Sequence, residues 1–462
     1  MADIGRKSET FSSRFGFIMA SVGSAVGLGN FWRFPYTAGE NGGGAFILIY
    51  ILCVAFIALP LLMAEYAMGR KSGMSAIEGV QSLARAESRS QNWGIVTWIG
   101  SLTAFFILSF YMVISAWLIA YVIQAIGGNL SGTTAEESGQ NFLNTIGQGE
   151  HPLNSKWYIL MLLGLFIVAN IYVVGRGVKG GLERAATILM PLFFVMVLVV
   201  VGFSLANGDV ARTVSFIFEP KWEDVGFKTF LAALGQAFFS ISVGVGLMIT
   251  YGAYLDRATS IPKSSVIIAG SDTFVALIAG FAIFPIVFAA GLNEGSGPSL
   301  FFVSMPVAFE AIPGGAIFAV IFFSLALFAA FTSSISLMEV GVSWLEERQG
   351  VTRSVRRRLC PLHGRGGVCL LARISRLHGL HDRRPAAAAR RFPGCNLCRL
   401  DSQPRDAHLR TRRGHDHECL AVPDPLVRAA LHRARPGVRL HGQDPGPVSR
   451  PAAWRARDAS RP

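Results

Sequence analysis

Charge is what this sequence has least of: 15% of its 462 residues are Asp, Glu, Lys or Arg, against 52% hydrophobic, and the mean hydropathy is +0.45. Globular domains carry about 25% charged residues, so these few cannot cover so much apolar surface in water, and the chain belongs in a membrane. Cysteine is nearly missing before residue 351. Cys53 stands alone there in an apolar run, which excludes a disulfide framework in that part. Lysine is missing afterwards: residues 351–462 hold 24 Arg and no Lys, with 8 of the 9 His, 5 of the 6 Cys, 11 of the 21 Pro, no Tyr and one Phe. The net charge of +13 invites a nucleic-acid reading, but residues 1–350 carry 18 basic and 21 acidic side chains. The whole basic excess sits in the tail.

Apolar stretches of about 20 residues, long enough to cross a ~30 Å hydrocarbon core, recur eight times before residue 350. They run from Phe15 to Ala38, Ala45 to Met68, Trp93 to Ile126, Trp157 to Val174, Ala185 to Leu205, Phe230 to Leu255, Val266 to Ala290 and Ala316 to Glu339. The polar segment Met1 to Arg14 is followed by no small-residue cleavage site, so the first span is expected to be retained. A cytoplasmic N-terminus puts 13 of the 18 basic residues on the inner side, as a multi-pass protein of the plasma (inner) membrane requires.

Polar and flexible residues interrupt some spans. The first carries Gly23, Gly27 and Gly29 at mid-depth, with Asn30 and Arg33 close behind. A close helix contact would explain glycines, but their spacing does not keep to one helical face, and polar groups at that depth are costly. An unwound segment explains both, because its freed carbonyls become ligands. A matching break is expected in the sixth span over Gly235-Gln236-Ala237-Phe238-Phe239-Ser240-Ile241-Ser242-Val243-Gly244-Val245-Gly246. Two interrupted spans five apart are the pattern of two inverted five-helix repeats with a midplane site between broken helices. Asp272, in the seventh span, is a functional candidate unless interfacial water solvates it. Thr332, Ser333 and Ser334, in the eighth, are candidates unless their hydroxyls merely bond back to their own helix.

The run Gly23-Ser24-Ala25-Val26-Gly27-Leu28-Gly29-Asn30-Phe31-Trp32-Arg33-Phe34-Pro35, followed by Glu40-Asn41-Gly42-Gly43-Gly44-Ala45-Phe46, resembles the neurotransmitter:sodium symporter family, which includes the bacterial leucine transporter. The likeness covers residues 8 to 348. It implies an all-α integral membrane protein of inverted five-helix repeats, with helices 1 and 6 broken and eight of twelve helices present. It implies a sodium-coupled symporter for a neutral, hydrophobic or aromatic amino acid that works by alternating access, and not an enzyme. One Na⁺ site would use the Ala25 carbonyl, Asn30, Ser240, Asp272 and the substrate carboxylate; a second would use the carbonyls of Gly23, Val26 and Ala329 with the hydroxyls of Thr332 and Ser333. Oxygen-only donors suit a hard, weakly bound cation, and no organic cofactor is implied. Many relatives have a neutral amide where this chain has Asp272, and some depend on chloride; the fixed carboxylate implies chloride independence.

For the substrate, Tyr111 matches the tyrosine that bonds its carboxylate and Phe239 the aromatic lid. The pocket would be lined by Ser24, Ile107, Phe239, Ser242, Val245, Ser334 and Leu337, with Ala25, Gly29 and Ser240 beside them. Ser24 and Val245 are smaller than the leucine transporter's counterparts, leaving room for a larger side chain unless neighbours repack. Arg33 matches an outer-gate arginine whose acidic partner belongs to a tenth helix. Ser8 and Phe11 stand where the family often has Arg and Trp, so Lys7 or Arg6 is expected to close the inner gate with Glu347.

The organisation expected is a cytoplasmic N-terminus (1–14), a transmembrane transporter domain (15–348) and an Arg/Pro-rich tail (349–462). Such a tail is what a GC-rich gene yields when read out of frame, so a frameshift between about Gly350 and Arg358 is expected, with disorder beyond it. Cys395, Cys398, His415, His417 and Cys419 resemble a zinc site, but accidental spacing explains them better. Without aromatic stacking residues the arginines specify no nucleic acid. The partners are an amino acid, Na⁺ and the lipid bilayer. The competing readings are an amino-acid sensor using the same pocket and a truncated product that does not transport; a channel is disfavoured because no repeated filter segment is present.

Overall fold

The computed structural model describes residues 9–130, 134–148, 152–292 and 299–349, without the side chains of 152–155, 224 and 349. Lys7, Arg6 and the tail from 350, with the frameshift and disorder expected there, lie outside the described residues. The described residues fall within one unit, residues 1–380.

Lipid offers no hydrogen bonds to a backbone, so apolar stretches of this length must satisfy their own amides, and they do so as helices. Among the described residues, six helical stretches are long and apolar enough to cross a membrane: Gly44–Ser72, Gln91–Ile126, Lys156–Gly175, Val178–Asn207, Ile261–Ala289 and Gly315–Arg348. A seventh forms if two helices bent by 43° count as one span: α1 (Arg14–Ala25) and the turn Gly29–Arg33 that runs into α2 (Phe34–Glu40). Next come α3 (Gly44–Cys53), α4 (Leu59–Ser72), α5 (Ala76–Ala86), α6 (Gly94–Ile126), α7 (Ala135–Thr145), α8 (Pro152–Gly175), α9 (Arg184–Asn207) and α10 (Val210–Phe218). The expected sixth span, Phe230 to Leu255, is two helices, α11 (Phe227–Ile241) and α12 (Leu247–Ala253), each too short to cross alone. Then follow α13 (Ile261–Ala289), α14 (Met305–Glu310) and α15 (Gly315–Gln349).

The first break is confined to Val26 and Gly27, since Leu28 is already helical at φ −60° and ψ −21°. The second is narrower than the sequence suggests: Gly235 to Ile241 stay helical, and the chain leaves the helix only over Ser242–Gly246. A lone Gly235 in a run of helix formers costs about 1 kcal/mol, which packing absorbs. Ser242, Gly244 and Gly246, by contrast, take φ of 58°, 85° and 78°, outside any right-handed helix.

Wide π turns at Gly29–Arg33, Val54–Ala58 and Leu300–Ser304 each end two residues before a proline, Pro35, Pro60 and Pro306. Proline has no N–H for the carbonyl four residues back and crowds it, so the preceding turn widens. One released carbonyl, that of Phe302, accepts from the Tyr121 hydroxyl at 2.8 Å.

Glycine sets two close approaches around the second break. A Cβ on Gly69 of α4 would lie 2.0 Å from the Ile249 carbonyl of α12, and one on Gly100 of α6 would lie 2.4 Å from the Gly244 carbonyl. Backbone therefore meets backbone there, as small residues permit between membrane helices.

Candidate functional site

The two breaks meet, with the Ser242 hydroxyl 3.5 Å from the Ser24 carbonyl. Around them stand two clusters of oxygen. The first centres on Asp272, in the middle of α13 and fully buried. Its carboxylate accepts from Asn30 Nδ2 at 2.9 Å and from Ser240 Oγ at 2.7 Å, and the Tyr50 hydroxyl stands 3.5 Å away. Asn30 also donates to the Asp272 carbonyl at 3.0 Å and to Ser240 Oγ at 3.3 Å, while its own Oδ1 accepts from the Gly27 N–H at 3.0 Å. The interfacial reading of Asp272 is thereby excluded. Every one of these partners is neutral, so the carboxylate is held in hydrogen-bonded but uncompensated burial, a costly arrangement that a bound cation relieves.

The second cluster lies below the first break. Ser333 Oγ is 3.5 Å from both the Gly23 and Val26 carbonyls. Thr332 Oγ1 bonds back to the carbonyls of Phe328 (3.2 Å) and Ala329 (3.1 Å), which leaves its lone pairs available, while Ser333 reaches across to the end of α1 and the first break. Ala25, the last residue of α1, falls in sequence between Gly23 and Val26 of the second cluster.

A small cavity of about 30 Å³ adjoins them, lined by Ser24, Ile107, Tyr111, Phe238, Phe239, Ser242, Val245, Ser333 and Leu337. Six of the seven expected pocket side chains are present. The seventh, Ser334, is not on this wall: its hydroxyl donates to Asn170 Oδ1 of α8 at 2.7 Å. Ser333 and Leu337 are four residues apart and share a helix face, whereas Ser334 is turned about 100° from Ser333. A Cβ on Gly27 would lie 3.2 Å from the Tyr111 hydroxyl, which places that hydroxyl beside the break, and one on Gly29 would lie 3.1 Å from the Phe239 ring.

Phe239 also floors a larger outer cavity, about 700 Å³, walled by Leu28, Trp32, Tyr36, Phe110, Trp117 and Phe302. Arg33 lies over the Phe239 ring, 5.1 Å from its centroid, and donates to the Gly235 carbonyl at 3.2 Å. Glu347 accepts from the Ser75 N–H at 2.8 Å and from its hydroxyl; the expected pair with Lys7 or Arg6 lies outside the described residues.

Three side chains at the site escaped sequence reasoning. Tyr50 sits in an apolar run where a tyrosine reads as filler. Gln236 Nε2 holds the Gly29 carbonyl at 2.8 Å, bridging the two broken spans. Glu65, 3% exposed, accepts from the Gly244 N–H at 2.6 Å and so anchors the second break; an ionisable residue inside a span was the available signal.

The chain matches the Sodium:neurotransmitter symporter family over residues 8–150 and 140–363. It is 38% identical over 338 residues to the uncharacterized sodium-dependent transporter YhdH of Bacillus subtilis (strain 168), covering 73% of this chain and 72% of that protein. It is 34% identical over 357 residues to an uncharacterized sodium-dependent transporter of Haemophilus influenzae, covering 76% and 77%. Among solved structures, MhsT in complex with L-phenylalanine aligns with a TM-score of 0.69 at 40% identity, over 76% of this chain and 77% of that one. With the broken spans and their oxygen clusters, these likenesses make the chain a multi-pass, sodium-dependent transporter that belongs to the sodium:neurotransmitter symporter family.

Proposed function

We propose that the chain is a symporter that couples inward Na⁺ movement to uptake of a neutral, hydrophobic or aromatic amino acid, with two Na⁺ sites and no need for chloride. The observation that carries this reading is the buried Asp272 carboxylate, whose partners Asn30, Ser240 and Tyr50 are all neutral. One Na⁺ would sit among Asp272, Asn30, Ser240 and the Ala25 carbonyl, and its charge would balance the carboxylate, the role that chloride plays with an amide. Asn30 Oδ1 has a second lone pair, so it could ligate the ion while still accepting from the Gly27 N–H, which would tie the ion to the first break. The second Na⁺ would bridge Gly23, Val26 and Ala329 carbonyls to Thr332 and Ser333. The substrate carboxylate would meet Tyr111 and the first Na⁺, and its side chain would enter the cavity walled by Ile107, Phe239, Val245 and Leu337.

An apolar wall with a few converging polar groups suits an amphipathic ligand, and MhsT, solved with L-phenylalanine, lends the aromatic class. A plasma-membrane location with a cytoplasmic N-terminus, and residues 15–348 as the transporting domain, complete the proposal. The test is Na⁺-dependent binding of radiolabelled phenylalanine and leucine, followed by counterflow in proteoliposomes. Binding with exchange supports a symporter; binding without exchange supports a sensor; no Na⁺-dependent binding of any neutral amino acid rejects the proposal.

A further inference from the structure

The segment before α1 and the turn Val178–Glu183 before α9 hold each other through two carboxylates in reciprocal positions. Glu183, 4% exposed, accepts from the Ser12 N–H at 2.8 Å and from the Ser12 hydroxyl. Glu9 accepts from the Val178 N–H at 3.0 Å. Each segment thus gives the other a carboxylate acceptor and a backbone donor, and the Ser12 hydroxyl adds a third bond. Neither N–H has a helical ladder to enter: Ser12 precedes the N-cap Ser13, and Val178 opens its turn behind Gly177 at φ 83°. The contact is close, since a Cβ on Gly16 would lie 1.9 Å from Glu183 Oε1. Phe11 extends it: its N–H donates to the Tyr254 carbonyl at 3.1 Å, and its ring meets Phe17, Tyr251 and Tyr254 edge-on at 5.4, 5.7 and 6.2 Å.

At its other end α1 leaves the helix at Val26 and Gly27, before the turn Gly29–Arg33 that runs into α2. It is therefore a rod of 12 residues, about 18 Å long, hinged at one end and clamped at the other. The hinge end carries the Gly23 and Val26 carbonyls that face Ser333. Swinging the clamped end out would draw those carbonyls away from Ser333 and open the second oxygen cluster toward the N-terminal side.

We propose that Glu9 and Glu183 are the positioning residues of the inner gate: their reciprocal bonds hold α1 closed, and they must part before Na⁺ and substrate leave. The inference rests on the transport function proposed above and supplies, from residues of this chain, a closure where Ser8 and Phe11 depart from the family's Arg and Trp.

The test is hydrogen exchange by mass spectrometry on the full 462-residue chain in lipid nanodiscs, for wild type, Glu9→Ala, Glu183→Ala and Glu183→Gln, together with dissociation of bound radiolabelled phenylalanine at fixed Na⁺. Glu9→Ala is expected to raise exchange at least tenfold in 175–186 and also in 10–16, although Glu183 is intact there; Glu183→Ala should do the converse. Both should raise exchange across 20–28, leave 263–288 unchanged, and speed phenylalanine dissociation at least fivefold. Glu183→Gln, which keeps an acceptor for the Ser12 N–H, should restore most of the protection and thus separates clamping from folding. The proposal is overturned if exchange rises only in the segment that lost its acceptor, if 20–28 or the dissociation rate does not respond, or if Gln behaves as Ala. A wild type that binds no amino acid rejects the transport function and leaves the exchange pattern to decide the clamp.

Discussion

Asp272→Asn removes one charge and almost no volume, so it isolates the electrostatic part of the site. The native carboxylate accepts from two donors, Asn30 Nδ2 at 2.9 Å and Ser240 Oγ at 2.7 Å. An amide has one acceptor and one NH₂ to offer them. If its oxygen takes Ser240, its NH₂ faces that of Asn30, and leaving a buried donor unsatisfied costs about 1–3 kcal/mol. The lost charge costs more when a cation is present. Two unit charges 4 Å apart at an effective dielectric of about 20 interact by roughly 4 kcal/mol, of which relaxation of the site returns a part. A net loss of about 3–4 kcal/mol corresponds to two to three decades in affinity at about 1.4 kcal/mol per decade.

The variant is therefore expected to raise the half-saturating Na⁺ concentration for phenylalanine binding at least a hundredfold. Without Na⁺ the sign reverses: a buried carboxylate with only neutral partners is costly, so Asp272→Asn should unfold no earlier than wild type in choline buffer. Sodium titration of radioligand binding and thermal unfolding in Na⁺-free buffer read the two effects separately. A half-saturation point within threefold of wild type would refute the assignment, and a large loss of stability in choline would show that the substitution damaged the fold rather than an ion site.

Thr332→Val with Ser333→Ala should weaken Na⁺ affinity about tenfold and leave amino-acid binding intact at saturating Na⁺, as removal of two modest oxygen ligands predicts. Gly27→Ala would place a Cβ 2.5 Å from Ser333 Oγ and 3.2 Å from the Tyr111 hydroxyl and should abolish radioligand binding, whereas Gly164→Ala, with nothing within 4 Å, should bind as wild type. Glu65→Ala strips the Gly244 N–H of its acceptor and should lower amino-acid affinity at least tenfold, with Glu65→Gln partly restoring it in the same assay. Wild-type binding measured with gluconate in place of chloride should stay within twofold.

What the sequence revealed was polarity out of place. Asn30, Asp272, Ser240 and Ser333 stand out because a polar group inside an apolar run demands a partner, and the fold brings all four to the breaks. Tyr50 and Gln236 carry no such signal: one is an ordinary aromatic in a span, the other lies among helix formers whose face only tertiary packing defines. The limits of the second break were hidden for a different reason. Several glycines permit positive φ, but the α6 backbone at Gly100 and the Glu65 carboxylate decide which residues take it. Ser334, assigned to the pocket through the resemblance, lies off its wall because one residue's step turns a helix by about 100°.

The first break is shared by both oxygen clusters, and this bears on why a symporter of the proposed kind needs all its ligands at once. Asn30, which holds the Gly27 N–H, bonds Asp272, while Gly23 and Val26 face Ser333, so an ion in either cluster acts on the same short hinge. A ligand shifts a two-state equilibrium only by its differential affinity, and moving it from 1:99 to 99:1 takes about 5.5 kcal/mol. An ion at tenfold its dissociation constant supplies about 1.4 kcal/mol, so two supply roughly half of that shift. The amino acid, seated against Tyr111 and the first ion, would supply the rest. The full shift then requires both ions and the substrate: the two ions alone, or the amino acid alone, bring the hinge only to about 1:1. Coupling on this account is a property of where Val26 and Gly27 lie, between two clusters that each hold one side of the break.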